Sequence, residues 1–266
     1  MKHIVCYSGG HSSALVAVEV VRKYGKENVI LLNHNISSKV EHKDIKRFKG
    51  EVADYLGIPI IYANMNNWEN ETPLDVCMRI GAFKVGNGTA LCTNRLKTQP
   101  FQDWLKKEFP ANNGVNNDCT VYYGFDKGEN IRIKRRSDIM ATMGYKTDYP
   151  LAYWERTIHN IEDIGINRPI TYECFRHANC IGCLKAGKQQ WYIVYCLYPN
   201  LWTKAKGAEK KIGYSILKDN YLIELESKFE RMKQLGIVPN EKVGFQKFWA
   251  MVRKILKENV STITND

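Results

Sequence analysis

Short apolar runs alternate with longer amphipathic stretches along the first third of the chain. Three of the runs predict buried parallel strands: His3–Tyr7, Val29–Asn33 and Ile58–Ala63. Two stretches between them carry apolar residues at helical spacing: Ser13–Tyr24 and Glu41–Leu56. An order of strand, helix, strand, helix, strand implies a parallel sheet with right-handed crossovers and helices on both faces.

The pattern changes after about residue 150. A fourth predicted strand, Thr120–Phe125, follows a polar turn rich in Asn and Gly and extends the sheet half of the chain to that point. Four apolar residues then predict a helix that ends at a glycine: Trp154, Ile158, Ile161, Ile164 and Gly165. Residues 187–258 predict further helices, one with an apolar stripe that we expect to be a packing face: Leu222, Leu225, Phe229, Met232 and Leu235.

Composition narrows the class of protein. The chain has 266 residues, contains no run of eighteen apolar residues, and begins without the features of a signal peptide, so we expect a cytoplasmic protein with no membrane partner. A net charge of +11 suits polyanionic partners such as nucleotides or nucleic acid, although a solvated basic surface would give the same number. Eight cysteines in a reducing compartment favour metal or thiol chemistry over disulfides. Of these we expect three to be core residues: Cys6, Cys119 and Cys196.

A glycine loop joins the first predicted strand to the first predicted helix. It reads Ser8-Gly9-Gly10-His11-Ser12-Ser13. Such a loop presents backbone N–H groups to an anion at the positive end of a helix, and its serine hydroxyls add donors. An ordinary strand-to-helix turn with a serine cap is the alternative interpretation.

This loop resembles the Ser-Gly-Gly-x-Asp-Ser pyrophosphate loop of the PP-loop ATP pyrophosphatase superfamily, with Ser12 in the place of the Asp. The resemblance implies an adenine nucleotide alpha-hydrolase-like fold, and ATP or a related adenine nucleotide held with Mg²⁺. Adenylation of a substrate with release of pyrophosphate, or binding of a sulfonucleotide, would take place in the same cleft. By position, Asn33 falls where the family contacts the adenosine half, and Gly124 matches the family's glycine at a strand end.

Later segments narrow the resemblance to the phosphoadenylyl-sulfate (PAPS) reductase-like family. Three blocks carry it: Cys92 to Pro100, the Gly124-Phe125-Asp126 run with Glu129 and Arg132, and Pro150 to Tyr172. The similarity covers residues 1 to about 185 and implies that Lys97, Arg132 and Arg136 neutralise developing charge. The family's C-terminal Glu-Cys-Gly-x-His has no counterpart, since residues 197–266 contain no cysteine.

Cys180-Ile181-Gly182-Cys183 is a Cys-x-x-Cys, and Cys174 and His177 precede it. Two thiolates at this spacing can bind one metal, although a redox pair and buried apolar thiols are alternatives. The resemblance implies a four-iron, four-sulfur (4Fe–4S) cluster held by Cys92, Cys180 and Cys183. Cys174 is the expected fourth ligand, with Cys77 in reserve, and structural zinc is the alternative to the cluster.

We therefore expect three regions: a PP-loop nucleotide-binding domain at residues 1–170, a Cys-rich metal-binding segment at 171–190, and a helical region at 191–266. The leading hypothesis is an enzyme that adenylates a substrate for sulfur chemistry, with nucleic acid as a candidate acceptor. A sulfonucleotide reductase and a non-catalytic binding component are the alternatives, and a homodimer is a candidate assembly. Basic residues near Lys204–Lys211, interleaved with aromatics, suit either nucleic acid or a solvated helix face over a packed core.

Overall fold

The computed structural model describes residues 1–86, 88–178 and 180–261. Its strands are β1 (Lys2–Cys6), β2 (Val29–Asn33), β3 (Ile60–Tyr62), β4 (Cys119–Tyr122) and β5 (Lys146–Asp148). Its α-helices are α1 (His11–Tyr24), α2 (Lys43–Leu56), α3 (Pro73–Ile80), α4 (Leu91–Thr93), α5 (Gln99–Glu108), α6 (Asn130–Thr142), α7 (Pro150–Tyr153), α8 (Lys188–Leu197), α9 (Pro199–Ile212), α10 (Leu222–Gln234) and α11 (Phe245–Ser261). A π-helical turn, Asn94–Thr98, leads into α5.

The five strands form one parallel sheet in the order β3-β2-β1-β4-β5. Val5 in the central strand lies opposite Leu31 on one side and Tyr122 on the other. The predicted α/β class and the four predicted strands are confirmed, and the arrangement is compatible with a Rossmann-like fold. β5 was not predicted, because its residues are polar and it lies at the edge of the sheet.

Successive residues of the central strands point to opposite faces of the sheet, and each face carries its own core. Val5 and Leu31 pack with buried residues of α1 and α2, such as Val16 and Phe48. On the other face, Ile4 packs in a core formed with α5 and α6. Because both faces are covered, the strands are almost wholly apolar, as parallel strands generally are.

The sheet reverses its direction of winding between β1 and β4. From β1 the chain moves outward through α1, β2 and α2 to the β3 edge, whereas from β4 it moves through α6 to the β5 edge. The loops that leave the carboxyl ends of β1 and β4 therefore separate and leave a crevice between them. In open α/β sheets this is where ligands bind.

The predicted helix that ends at Gly165 is wrong over most of its length. Only its final turn, Ile161–Ile164, is helical, as a 3₁₀ turn that ends at Gly165 with a left-handed backbone. The preceding chain forms a loop, anchored by the buried carboxylate of Glu19. One oxygen of Glu19 accepts hydrogen bonds from the backbone N–H groups of Thr157 and Ile158 at 2.6 and 3.0 Å. The apolar side chains of this segment pack into the core from a loop, although their spacing along the chain matches the period of a helix.

The chain divides into two compact units. Unit 1 consists of Met1–Asn70 and Asn94–Ile170, and it contains the whole sheet. Unit 2 consists of Glu71–Thr93 and Thr171–Asp266, so a segment from the first third of the chain joins the C-terminal helices. No helix within the described residues has the length and apolar character needed to cross a membrane.

Unit 2 is helical, as predicted for most of its length. The apolar stripe of α10 is a packing face, with four members buried and one half-buried: Leu222, Leu225, Phe229, Met232 and Leu235. The inserted segment is attached to the C-terminal helices by polar contacts. Lys204 in α9 forms an ion pair with Asp75 in α3 at 2.5 Å, and the hydroxyl of Tyr214 accepts the backbone N–H of Phe83 at 2.5 Å.

Candidate functional site

The glycine loop leaves the carboxyl end of β1 and ends where α1 begins. Ser8 and Ser12 are exposed, whereas Gly9 and Ser13 are buried. The Ser13 hydroxyl donates to the carbonyl oxygen of Gly10 at 2.8 Å, and the Ser8 hydroxyl donates to Ser13 Oγ at 3.3 Å. The first turn of α1 contains no acidic residue, and no side chain caps its N-terminus. The positive end of a fourteen-residue helix therefore faces the crevice with no carboxylate in its own first turn.

Gly9 is required at its position for two reasons. Its φ of +80° is a left-handed conformation that residues with a side chain rarely adopt. A Cβ atom at Gly9 would also lie 2.7 Å from the Cγ and Cδ atoms of Lys49 and 3.2 Å from Ile45 Cγ2. The loop backbone thus lies directly against α2 and leaves its other side to solvent.

The loop that follows β4 meets the start of α1 at Gly124. A Cβ atom there would lie 3.1 Å from the carbonyl carbon of Ser12 and 3.2 Å from Ser12 Cβ and O. Such distances are tighter than ordinary van der Waals contact, so any larger residue would push the two loops apart. The structure therefore brings together Gly9, Ser12 and Gly124, three residues that the sequence predicted as nucleotide contacts.

A buried ion pair lies beneath the glycine loop. Lys49 is only 1% exposed, and its Nζ lies 3.0 Å from Glu41 Oε2 and 3.5 Å from Asn33 Oδ1. Asn33 in turn donates its side-chain N–H to the carbonyl oxygen of Tyr7, the residue before the loop. Burial lowers the pKa of Lys49, and the nearby carboxylate of Glu41 opposes that shift. Asn33 was predicted as an adenosine contact, but both of its side-chain polar atoms are used within the fold.

Sequence reasoning missed Lys49, although a signal was present. On α2 the buried positions are Ile45, Phe48, Lys49, Val52, Ala53 and Leu56. Lys49 therefore occupies a position that the helical period reserves for an apolar residue. A lysine there requires a buried partner, because an isolated ammonium group is costly to remove from water.

His34 and Lys97 lie on the same side of unit 1 as this ion pair. The Nδ1 atom of His34 lies 2.6 Å from the carbonyl oxygen of Ala63 and therefore carries the proton that makes this hydrogen bond. Burial and, to a smaller extent, the positive charges of Lys97 and Lys49 lower the pKa of His34 to about 4, while the hydrogen bond to Ala63 opposes the shift. His34 is accordingly neutral at pH 7 beside two ammonium groups.

His11 belongs to the predicted loop but is engaged elsewhere. Its Nε2 atom accepts a hydrogen bond from the backbone N–H of Ile161 at 3.2 Å. Burial lowers the pKa of His11, and Arg168 and Arg156 add to this effect. A neutral ring that accepts from Ile161 holds the 3₁₀ turn against the start of α1 and does not serve as a cation for phosphate.

Arg132 and Arg136 lie one turn apart on α6, and each guanidinium stacks on an aromatic ring. The Cζ atom of Arg132 is 4.5 Å from the ring centroid of Phe125, and that of Arg136 is 5.2 Å from the ring centroid of Tyr123. Arg132 also forms an ion pair with Glu129. Since Tyr123 and Phe125 flank Gly124, both arginines lie at the edge of the sheet where the crevice opens.

The predicted metal ligands all belong to unit 2. Cys92 is buried, and its thiol is hydrogen-bonded to that of Cys77 in α3; this contact and burial raise the pKa of Cys77. Cys174, Cys180 and Cys183 are half-buried. The structure thus places Cys92 beside Cys77, which sequence reasoning held in reserve.

In the part of the chain that the structure describes, no three His, Cys, Asp or Glu side chains gather in an arrangement that would hold a metal ion. The four cysteines predicted as ligands do not form a coordination site as they lie here. The iron–sulfur centre stays a prediction from the family resemblance and the cysteine motif.

Two of the four lysines in the basic run of α9 are neutralised within unit 2. Lys204 pairs with Asp75, and Lys206 pairs with Glu226. Three of the aromatic residues before or within it are buried: Trp191, Tyr192 and Trp202. The contacts of this segment are those of a helix face over a packed core, the second of the two interpretations considered from the sequence.

Comparison with known proteins identifies one relative. The chain is 26% identical over 216 residues to the uncharacterized nin region protein ORF290 of Escherichia phage lambda, and the alignment covers 71% of this chain and 68% of the phage protein. No family model matches the chain. No solved structure matches it either. Function must therefore be argued from the site.

Proposed function

We propose that this protein binds ATP or a related adenine nucleotide by its phosphates at residues 8–13 and transfers the adenylyl group to an acceptor. One observation carries the proposal. The glycine loop, the uncapped N-terminus of α1 and the loop at Gly124 meet at the switch point of a parallel sheet, packed too closely for a Cβ atom at Gly9 or Gly124. The choice of an adenine nucleotide as the ligand comes from the resemblance of the loop to the PP-loop superfamily.

In the proposed reaction, a nucleophilic atom of the acceptor attacks the α-phosphorus of ATP, and the bond to pyrophosphate breaks. Backbone N–H groups of the loop and the hydroxyls of Ser8 and Ser12 would hold the departing pyrophosphate. Lys97, Arg132 and Arg136 would neutralise charge that develops on the phosphates. Mg²⁺ bound with the nucleotide would supply further neutralisation. A sulfur nucleophile would then displace AMP from the activated acceptor.

The loop is tested by nucleotide binding. Titration calorimetry with ATP should give saturable binding that Gly9→Val weakens by at least about tenfold, or about 1.4 kcal/mol. Gly50→Ala is the matched control, since a Cβ at Gly50 on α2 meets nothing within 4 Å. If ATP binds both variants equally, or binds neither these nor the wild type, the phosphate site is not at this loop.

Reaction products separate adenylation from its alternatives. Acceptor-dependent release of pyrophosphate from ATP supports adenylation, whereas sulfite release from adenylyl sulfate with a thiol reductant supports a sulfonucleotide reductase. A reductase needs a thiolate nucleophile, and residues 197–266 contain no cysteine to supply it. If Ser12→Asp creates ATP cleavage that the wild type lacks, the wild type is a non-catalytic binding component.

The metal centre is tested independently of nucleotide binding. We propose that the cysteines of unit 2 bind a 4Fe–4S cluster, with zinc as the alternative, because Cys92 and the Cys-x-x-Cys belong to one unit. Anaerobically purified protein should then be brown and contain iron and acid-labile sulfide. Both should fall in Cys180→Ser but not in Cys119→Ser, whose cysteine lies in the core of unit 1. Colourless protein that contains zinc would replace the cluster with a structural site, and metal-free protein would remove both.

A further inference from the structure

The exposed surface of α6 stands out from the other helices of unit 1. Of its thirteen residues only Ile133 and Met140 are buried, so most of the helix faces solvent. Four of five consecutive residues are basic: Arg132, Lys134, Arg135 and Arg136. Among the described residues, Arg135 and Arg136 form no ion pair with a carboxylate, in contrast to Lys204 and Lys206 of α9. Lys134 forms an exposed ion pair with Asp138 at 3.0 Å, and Arg132 forms one with Glu129. Arg135 and Arg136 are therefore the cationic groups of α6 that are open to a partner.

Aromatic rings adjoin this basic surface. The rings of Tyr123, Phe125 and Tyr149 stack on one another with centroids 5.9 to 6.0 Å apart. Tyr153 meets Tyr149 edge to face and is 63% exposed. Arg132 and Arg136 lie over Phe125 and Tyr123, so their guanidinium planes are held by the rings beneath them. Less side-chain entropy is lost when guanidinium groups already held in this way bind a phosphate.

The position of the surface links it to the nucleotide site. Phe125 follows Gly124, which contacts the backbone of Ser12 in the glycine loop. Ile131, on the first turn of α6, is 87% exposed, which is unusual for an isoleucine. Cationic side chains, the exposed ring of Tyr153 and the exposed side chain of Ile131 thus lie beside the proposed phosphate loop.

We propose that α6, with Phe125 and Tyr153, forms a docking surface for single-stranded nucleic acid. Single strands offer both a phosphate backbone for arginine and lysine and free base faces for aromatic rings. A duplex keeps its bases stacked within the helix and would leave Tyr153 and Ile131 without a partner. The role of this docking surface, which is to present an acceptor to the bound nucleotide, rests on the proposed function; the binding of nucleic acid does not.

Binding can be measured without nucleotide, by fluorescence polarisation of a labelled oligo(dT) or oligo(U) of about 12 nucleotides, within the site sizes usual for single-strand binders. Lys134→Gln/Arg135→Gln should weaken binding about tenfold and lower the slope of log affinity against log salt by about 1 to 2. Lys210→Gln/Lys211→Gln removes the same charge from exposed positions of unit 2 and should change affinity less than about twofold. Tyr153→Ala should weaken binding without changing the salt slope.

Several results would overturn the proposal. These are no binding to the single strand, equal loss in both double variants, duplex binding as tight as single-strand binding, or binding only to an acidic protein or to anionic vesicles. Neither double variant should change ATP affinity. Wild-type protein that binds ATP but not the single strand would overturn the docking surface alone. Absent ATP binding with intact nucleic-acid binding would overturn the proposed function alone.

Discussion

Lys49 is a single residue on which the position of the glycine loop depends. Its side chain fills the space beneath Gly9, and its ammonium group connects Glu41 and Asn33, which holds the carbonyl of Tyr7. We expect Lys49→Met to fill the same space but to leave Glu41 with only Lys46, at 3.3 Å. The free energy of unfolding should fall by about 2 kcal/mol, below the usual cost of breaking a buried pair because Lys46 remains.

A double-mutant cycle tests this interpretation by urea unfolding. Lys49→Met/Glu41→Leu should recover most of the lost stability, since an apolar pair tolerates burial. Lys49→Met should also lower ATP affinity, because the glycine loop loses its connection to Lys49 through Asn33 and Tyr7. The double variant should show the same reduced affinity, since that connection is still missing. If both stability and ATP affinity return to wild-type values, Lys49 has no part in positioning the loop.

His34 should make the stability of unit 1 depend on pH. Its pKa is about 4 in the folded protein, against 6.5 for an unperturbed histidine. Between these values the unfolded chain binds more protons than the folded one, so stability is complete above pH 6.5 and falls as the pH falls toward 4. The loss is at most about 3 kcal/mol.

The measurement is urea unfolding at about pH 7 and about pH 5 for wild type and His34→Asn. Asparagine keeps a donor near the carbonyl of Ala63 but does not titrate in this range. The difference in stability between the two proteins should therefore shrink at the lower pH. If it is the same at both, burial of His34 does not control the acid sensitivity of the fold.

At the scale of the element, α10 shows how strongly one helix depends on its packing face. Phe229 is fully buried and contacts the rings of Tyr192 and Trp202, with centroids 5.2 and 5.7 Å away. We expect Phe229→Ala to lower the free energy of unfolding of unit 2 by about 3 to 5 kcal/mol, because it leaves a cavity. Ile223→Ala on the same helix is 58% exposed and should cost less than about 0.5 kcal/mol.

Thermal unfolding followed by circular dichroism distinguishes these two variants. Equal effects of Phe229→Ala and Ile223→Ala would mean that the stripe does not pack as described.

The stripe of α10 was predicted correctly from sequence because the spacing of its apolar residues depends only on the period of a helix. The segment from Trp154 to Ile164 has similar spacing, but there Glu19 binds the backbone N–H groups of Thr157 and Ile158 in a loop.

At the scale of the whole molecule, the chain does not divide at one point. Glu71–Thr93 belongs to unit 2 although it lies between two parts of unit 1. A fragment of residues 1–170 should therefore expose Leu74, Val76 and Phe83, which are buried in the full chain. We expect this fragment to aggregate when expressed alone.

Co-expression with residues 171–266 should return the 1–170 fragment to the soluble fraction, because it restores the partners of the inserted segment. Size-exclusion chromatography and hydrogen exchange provide the measurement. A monomeric 1–170 fragment with protected amides in residues 71–93 would show that the segment folds with unit 1.

The sequence by itself determined the features that depend on local period and local chemistry. These are the parallel α/β class, four of the five strands, the helical nature of the C-terminal region and the place of the glycine loop between β1 and α1. Apolar spacing and glycine conformation follow from neighbouring residues, so they can be read without a structure.

The tertiary structure decided which distant residues meet. Gly124 contacts Ser12, Lys49 lies beneath Gly9, and the thiol of Cys92 is hydrogen-bonded to that of Cys77. Nothing in the spacing of these residues along the chain indicates these contacts. Asn33 and His11, both predicted as nucleotide contacts, make side-chain hydrogen bonds within the fold. The physical reason is that these contacts depend on how strands and helices cross in space, which residue types alone do not specify.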